Sequence, residues 1–225
     1  MQLQPKSRRR LAFLAGFAAY FAALWLLWPT IWIYPFKIFV VFLHELSHAA
    51  AGIATGGTVQ RITLDAAQGG ATYVNGGNAF LMLSAGYLGS LVWGLLLLLV
   101  ARTRPAVARH AVFGLGILLL ATSVLFVRNW FGFVFGMLFG LGLLLAARKL
   151  PAGGIVVLLT ALGLTSALYA LFDIRDDILS RPTVKSDAFM LMEMTGVHTL
   201  VWGFLWAGIA LTVCFFVGRR IYRAA

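Results

Sequence analysis

Residues 42–49 read Phe-Leu-His-Glu-Leu-Ser-His-Ala and lie in an apolar run from 35 to 55. The run opens at a proline, which suits a helix start, and closes at a pair of glycines. On a helix, residues four apart lie on one face about 6 Å from each other, so His44 and His48 can offer two imidazole nitrogens to one Zn²⁺. Three ionisable groups within five residues are costly inside a membrane and indicate a compensating partner such as a metal.

Glu45 lies roughly 100° around the same helix from His44, so its carboxylate falls beside the metal and not on it. From that position it can take a proton from a water molecule at the metal and later return it to a leaving amine. The His-Glu-x-x-His spacing therefore favours hydrolysis of an amide bond, with Glu45 as the catalytic base.

The chain as a whole is too apolar for a soluble domain. Of its 225 residues, 61% are hydrophobic and 11% are charged, which is more apolar surface than one soluble core could bury. We therefore expect an all-α polytopic membrane protein, because several runs approach the roughly 20 apolar residues that cross a bilayer. About seven transmembrane helices are predicted, at 11–28, 35–55, 79–101, 111–127, 129–147, 152–172 and 199–218.

Residues 57–78 interrupt this pattern. Glycine pairs flank two β-prone pieces, which predicts a short β-hairpin over 58–75 directly after the motif helix. A polar stretch at 173–197 holds five of the seven acidic residues. No internal repeat or separate soluble domain is visible, so residues 1–225 are expected to form a single membrane domain.

The formal net charge of +11 comes from basic residues that lie mainly at the ends of apolar runs. Because they form no continuous stripe, we expect the lipid bilayer as a partner and no nucleic acid. The basic leader, Lys6 with 8–10, favours a cytoplasmic N-terminus, but the basic residues at 102–109 and 219–220 then lie outside, so charge alone does not settle topology. Cys214 is the one cysteine, which excludes an internal disulfide.

Residues 42–49 resemble the active-site helix of the site-2-protease family of intramembrane zinc metalloproteases. In that family a short β segment follows this helix, and a later helix begins with a small-residue motif of the Gly-Pro-x-x-Asn kind. Here the glycine-punctuated segment 57–78 is followed by Ala-Gly-Tyr-Leu-Gly-Ser at 85–90. Tyr87 replaces the proline and Ser90 the asparagine, so the order of elements matches while the residues differ.

Most of the chain after residue 35 is similar to the peptidase M50B-like branch of that family, which occurs in bacteria, plants and fungi. The similarity includes Ser-Asp-Ala at 186–188 and Trp-Gly at 202–203. It implies a zinc-dependent endopeptidase that cleaves membrane-protein or membrane-peptide substrates, located in a bacterial cell membrane.

One family feature is missing. Site-2 proteases generally take a third zinc ligand from an aspartate in a Leu-Asp-Gly motif, and the corresponding residues here, 127–132, read Val-Arg-Asn-Trp-Phe-Gly. Asn129 is a poor zinc ligand. Its amide could donate to the oxyanion that develops on a substrate carbonyl, which would make it catalytic, or it could cap a helix.

The third metal ligand is therefore expected from the acidic stretch, because catalytic zinc sites typically use three protein ligands and water. Chain alternation places this stretch on the same side as the His48 end of the motif helix. Asp187, where a short helix could begin, is slightly favoured over Asp173, which ends the sixth span. Their alternative roles are stabilisation of a helix N-terminus and interfacial solvation, respectively.

The remaining candidates have simpler explanations. Asp176 and Asp177 are expected to pair with nearby basic residues or to be solvated. His198 and His110 lie at the ends of spans, where histidines at headgroup level are ordinary.

Two other functions compete with proteolysis. A proteolytically inactive scaffold or chaperone of the same fold is favoured by the missing Leu-Asp-Gly aspartate. A metal transporter is disfavoured, because the histidines and acids are too few and too clustered to line a path. A helical substrate hides its amides, so cleavage needs an extended segment, which the hairpin at 58–75 could bind as an added strand.

Overall fold

In a computed structural model that describes residues 5–28, 30–175 and 185–224, the chain forms eight helices and one β-hairpin. The strands are β1, Thr58–Leu64, and β2, Gly70–Asn75. The helices are α1 Pro5–Leu27, α2 Tyr34–Ala54, α3 Ala79–Val100, α4 Pro105–Leu125, α5 Trp130–Lys149, α6 Ala152–Arg175, α7 Asp187–Thr195 and α8 Thr199–Ala224. The predicted class, a helical membrane protein with a hairpin after the motif helix, is confirmed.

Six helices in the described part of the chain, α2 to α6 and α8, are long and apolar enough to cross a membrane. Helix α1, which covers the first predicted span, contributes a shorter apolar segment, Ala18–Leu27, so the count is one below the predicted seven. Large apolar side chains face outward on the bundle, as with Trp130 at 80% and Phe204 at 74% exposure. Such a surface suits lipid, and the protein is an integral multi-pass membrane protein.

Helix α4 corrects one predicted boundary. It begins at Pro105 and not at residue 111, because proline at the first turn lacks only a donor that would be unpaired there. Arg109, predicted to lie outside the span, therefore lies within α4. Its guanidinium donates to the carbonyls of Ala147 and Leu150 and so satisfies the C-terminal end of α5.

Helix α2 lies at the centre of the bundle. In the most apolar stretch of α2, 67% is buried inside the protein, whereas the corresponding share in α8 is 17%. Phe39 and Phe42 are fully buried in the main core, and α3 packs against both α2 and α6. The His-Glu-x-x-His sequence is thus held on the most buried of the six membrane-length helices in the described part of the chain.

The hairpin runs alongside α2. Its antiparallel register extends from Thr58 opposite Asn75 to Leu64 opposite Gly70. At the hairpin turn, the carbonyl of Ala66 accepts a hydrogen bond of 2.7 Å from the hydroxyl of Tyr34 at the start of α2. The hairpin is therefore packed beside the motif helix along much of its length.

The polar stretch contains a helix of its own, α7. Ser186 caps its first turn by accepting from the backbone N–H of Phe189, and Gly196 ends it in the left-handed region at φ 74°. The expectation that a short helix begins at Asp187 is confirmed.

Candidate metal centre

Three side chains converge where α2 meets α7. The Nε2 atom of His44 lies 3.1 Å from Oδ2 of Asp187, and the Nε2 atom of His48 lies 3.3 Å from the same oxygen. All three potential ligand atoms lie within 4.8 Å of one another, and no other group of this kind occurs among the described residues. These residues could hold a metal ion.

The donor atoms at this site are of the kinds that zinc binds, because imidazole nitrogen and carboxylate oxygen are both common zinc ligands in proteins. Two nitrogens and one carboxylate also match the three-ligand sets of catalytic zinc sites, which keep a fourth position open.

The ring of His48 is oriented by the backbone of α3. Its Nδ1 atom lies 2.7 Å from the carbonyl of Met82, and because a carbonyl only accepts, Nδ1 must donate. The other ring nitrogen, Nε2, is the one that points toward Asp187. Such outer contacts typically fix the tautomer and orientation of a metal-binding histidine.

Asp187 enters the site from the first turn of α7 and is 8% exposed. It lies outside the membrane-spanning helices. Burial alone would raise the pKa of its carboxyl group, but attraction to His48 and hydrogen bonds with both histidines outweigh burial and hold that pKa well below its ordinary value. The group is therefore an anionic oxygen donor next to two nitrogen donors.

A small separate core holds α7 in place. Tyr87 of α3, Ala188 and Leu191 of α7, and Trp206 of α8 are all buried together. The rings of Tyr87 and Trp206 lie 4.8 Å apart, and Tyr87 also contacts the His44 ring edge-on at 5.2 Å. Helices α3 and α8 thus clamp the helix that carries Asp187 against the histidines.

Glu45 lies beside this group and is 4% exposed. The hydroxyl of Thr72 on β2 lies 2.7 Å from its Oε2 atom and 2.9 Å from its backbone oxygen. Gly70 packs directly against the carboxylate, and a Cβ atom there would overlap Oε1. Strand β2 therefore fixes the orientation of Glu45 and, through Gly70, leaves space beside Oε1.

A cavity of about 600 Å³ opens onto the site. Its walls come from α2, β2, α3 and the start of α7, and many of the side chains that line it are apolar, including Val41, Val74, Met82, Leu83 and Met190. Its lining follows β2 from Gly70 to Val74 and also includes Glu45 and the three potential ligands.

The structure does not bring Asn129 to this cavity. Its amide pairs with the backbone of Leu64 on β1, and although it occupies the N-cap position of α5, its side chain makes no capping hydrogen bond. The predicted contact with a substrate carbonyl stays a prediction.

The other candidates lie elsewhere. Both His198 and His110 are exposed. The Nδ1 atom of His110 contacts a backbone carbonyl of α4, and that of His198 accepts from a backbone N–H in the first turn of α8. Asp173 belongs to α6, but its side chain lies outside the described part of the chain, as do residues Asp176 and Asp177.

Several residues that shape the site are absent from the sequence-based predictions. Thr72 and Gly70 fall in the predicted hairpin, but nothing in a β-prone segment marks them as contacts of Glu45. Gly86 lies in the small-residue segment 85–90, for which the sequence predicts no contact with the metal ligands. In the structure a Cβ atom at Gly86 would overlap Nε2 of His44 and Oδ2 of Asp187, so this glycine makes room for the ligand atoms themselves.

Replacing Gly86 by alanine is therefore expected to weaken zinc binding by about tenfold or more, the range seen when outer contacts of a metal site are disturbed. Zinc titration of the purified variants measures this. Gly142→Ala in α5 is the matched control, because a Cβ atom there meets nothing within 4 Å. Equal zinc affinity in both variants would contradict the role given to Gly86.

Comparison with known proteins assigns the chain to a family. No curated protein and no solved structure matches it. The profile of the family described as Peptidase M50B-like matches residues 17–217, which include every residue of the site described above. The match covers most of the sequence and agrees with the bundle of membrane-length helices, and the chain belongs to the Peptidase M50B-like family.

Proposed function

We propose that this protein is a zinc-dependent intramembrane endopeptidase. One observation carries the proposal: Nε2 of His44, Nε2 of His48 and Oδ2 of Asp187 converge beside Glu45 on the wall of a cavity at the centre of a membrane bundle. A metal and a carboxylate that does not bind it are the two components that metal-assisted amide hydrolysis requires.

His44, His48 and Asp187 would hold the zinc ion. When bound, zinc acts as a Lewis acid that polarises the scissile carbonyl and makes a water molecule nucleophilic at neutral pH. Met82 keeps His48 in the tautomer that presents Nε2, and α7 brings the negative charge of Asp187 to the site. Helix α3 thus orients one of the three ligands, and α7 supplies another.

Glu45 would act as the general base and then the general acid. Thr72 donates to Oε2, so Oε1 is the atom that accepts a proton from the attacking water and later returns it to the leaving amine. Burial of Glu45 excludes bulk water and strengthens its electrostatic interactions with the reacting atoms.

The substrate would bind as an extended strand along β2. In an antiparallel pair, opposite residues either exchange both backbone hydrogen bonds or direct both away from each other. The backbone N–H of Ile62 donates to Phe126 and its C=O accepts from Arg128, so both groups point away from β2. The backbone N–H and C=O of its partner Thr72 therefore also point away from β1. The described chain supplies no third strand there, and Thr72 lines the cavity. A peptide strand could pair with this edge and pass over Glu45.

Removal of the metal is expected to abolish cleavage. Purified protein in detergent would be offered a panel of single-span membrane peptides with a central Gly-Gly pair, which eases local unwinding. Treatment with 1,10-phenanthroline should reduce cleavage to background, because polarisation of the carbonyl is lost, and one equivalent of zinc should restore it. Mass spectrometry of the products measures the rate.

The opposite outcome is informative. One zinc per chain without cleavage of any peptide in the panel would overturn the proposal and favour a proteolytically inactive scaffold of the same fold. Cleavage that survives complete removal of metal would exclude the metal-dependent mechanism.

A further inference from the structure

The side-chain amide of Asn129 makes two hydrogen bonds with strand β1, one as acceptor and one as donor. The Oδ1 atom accepts a hydrogen bond of 3.1 Å from the backbone N–H of Leu64, and Nδ2 donates one of 2.7 Å to the carbonyl of the same residue. A backbone residue of a neighbouring strand would offer β1 this same pair of groups. The side chain of Asn129 therefore substitutes for a peptide unit at the edge of the hairpin.

This contact completes a short ladder. Two residues before Leu64, Ile62 donates its N–H to Phe126 at 2.8 Å and accepts from the N–H of Arg128 at 3.0 Å. The segment that joins α4 to α5 thus pairs with β1 at alternate residues, first through its backbone and then through Asn129. The outer edge of β1 is closed along this part of the hairpin, and β1 is tied to the start of α5.

The contact between Asn129 and β1 is linked to Glu45 through the hairpin. Leu64, which Asn129 holds, is paired with Gly70, and Gly70 packs against the carboxylate of Glu45. Thr72, two residues further along β2, donates to Oε2 of Glu45. The Asn129 amide thus holds β1, and β1 pairs directly with β2, which carries the residues that orient the general base.

We propose that Asn129 is a positioning residue for Glu45: its amide anchors β1 so that Gly70 and Thr72 of β2 are held against the carboxylate. The part of this inference that concerns turnover rests on the proposed peptidase function. The part that concerns the hairpin and Glu45 does not, because it follows from contacts among described residues alone.

An asparagine is suited to this position for a chemical reason. A primary amide carries one donor and one acceptor side by side, as a peptide unit does. An ionised aspartate keeps the acceptor but would place a second oxygen against the carbonyl of Leu64. Aspartate and serine are nevertheless as good as asparagine at a helix N-cap, so a capping role and an anchoring role predict different results for these substitutions.

The test compares N129D with N78D in zinc-loaded, full-length protein. Asn78 caps α3 by accepting from the N–H of Leu81, a bond that aspartate preserves.

In N129D we expect amide hydrogen exchange over 58–75 to quicken by about fivefold or more, the effect of losing one hydrogen bond. Labelling of Glu45 by a hydrophobic carbodiimide should rise by a similar factor, and kcat should fall about 10- to 100-fold with zinc content unchanged, because a small displacement of a catalytic group costs that much. N78D should match wild type in all four readouts.

N129S serves as a second variant if N129D fails to retain zinc, because serine also suits the N-cap but cannot reach both groups of Leu64. Wild-type exchange over 58–75 in the folded variant would overturn the anchoring role. Faster exchange with unchanged labelling of Glu45 would overturn the link to the base. If the wild-type protein cleaves no peptide, the proposed function falls, while exchange and labelling still decide the role of Asn129.

Discussion

Replacing Glu45 by glutamine is expected to lower kcat by about 10²–10⁴-fold, the contribution of a well-placed general acid and base. Glutamine has nearly the shape of glutamate and can still accept from Thr72, so the hairpin should keep its place against α2. It cannot take up a proton from water. Because Glu45 is not one of the three potential ligands, zinc content should stay at that of the wild type.

Rate and metal content must be measured on the same preparation. Glu193→Gln is the matched control, because Glu193 is the other glutamate of the chain and is exposed on α7. It should leave both quantities unchanged. Turnover that persists in Glu45→Gln at the wild-type rate would remove Glu45 from the mechanism, and loss of zinc together with turnover would move it into the metal site.

Those parts of the fold that depend on neighbouring residues were predictable. Helix α2 was expected over 35–55 and spans Tyr34–Ala54, because a proline and a glycine pair mark its ends and lipid favours an apolar run of that length. The hairpin was expected over 58–75 and occupies this range, since glycine pairs bound its strands. The spacing of His44 and His48 is likewise a local property of one helix.

The contacts between distant segments could not be read in this way. Asp187 lies 143 residues from His44 and reaches it only because α7 packs between α3 and α8. Asn129 could be judged by residue type, as an amide near a predicted helix start, but its partner on β1 is set by how α5 meets the hairpin. The role of Gly86 likewise depends on distant segments, since the two atoms it accommodates come from α2 and α7.

Replacing Asp187 by alanine is expected to weaken zinc binding by more than about 100-fold, the upper end of what loss of an outer contact costs. The substitution removes the anionic donor and leaves two imidazoles, which are too few for a stable site. Mass spectrometry of the purified proteins should find about one zinc per chain in the wild type and almost none in Asp187→Ala. His44→Ala should behave in the same way.

Asp173→Ala is the decisive comparison. Asp173 is the other carboxylate that the sequence offers as third ligand, and it belongs to α6 instead of α7. If the geometry of Asp187 reflects the metal site, Asp173→Ala keeps its zinc. If zinc is lost in Asp173→Ala and kept in Asp187→Ala, the third ligand belongs to α6, and Asp187 serves only the N-terminus of its own helix. Since α7 is held by Tyr87 and Trp206, the first outcome would also mean that α3 and α8 assemble the metal centre by fixing a helix that supplies one oxygen atom.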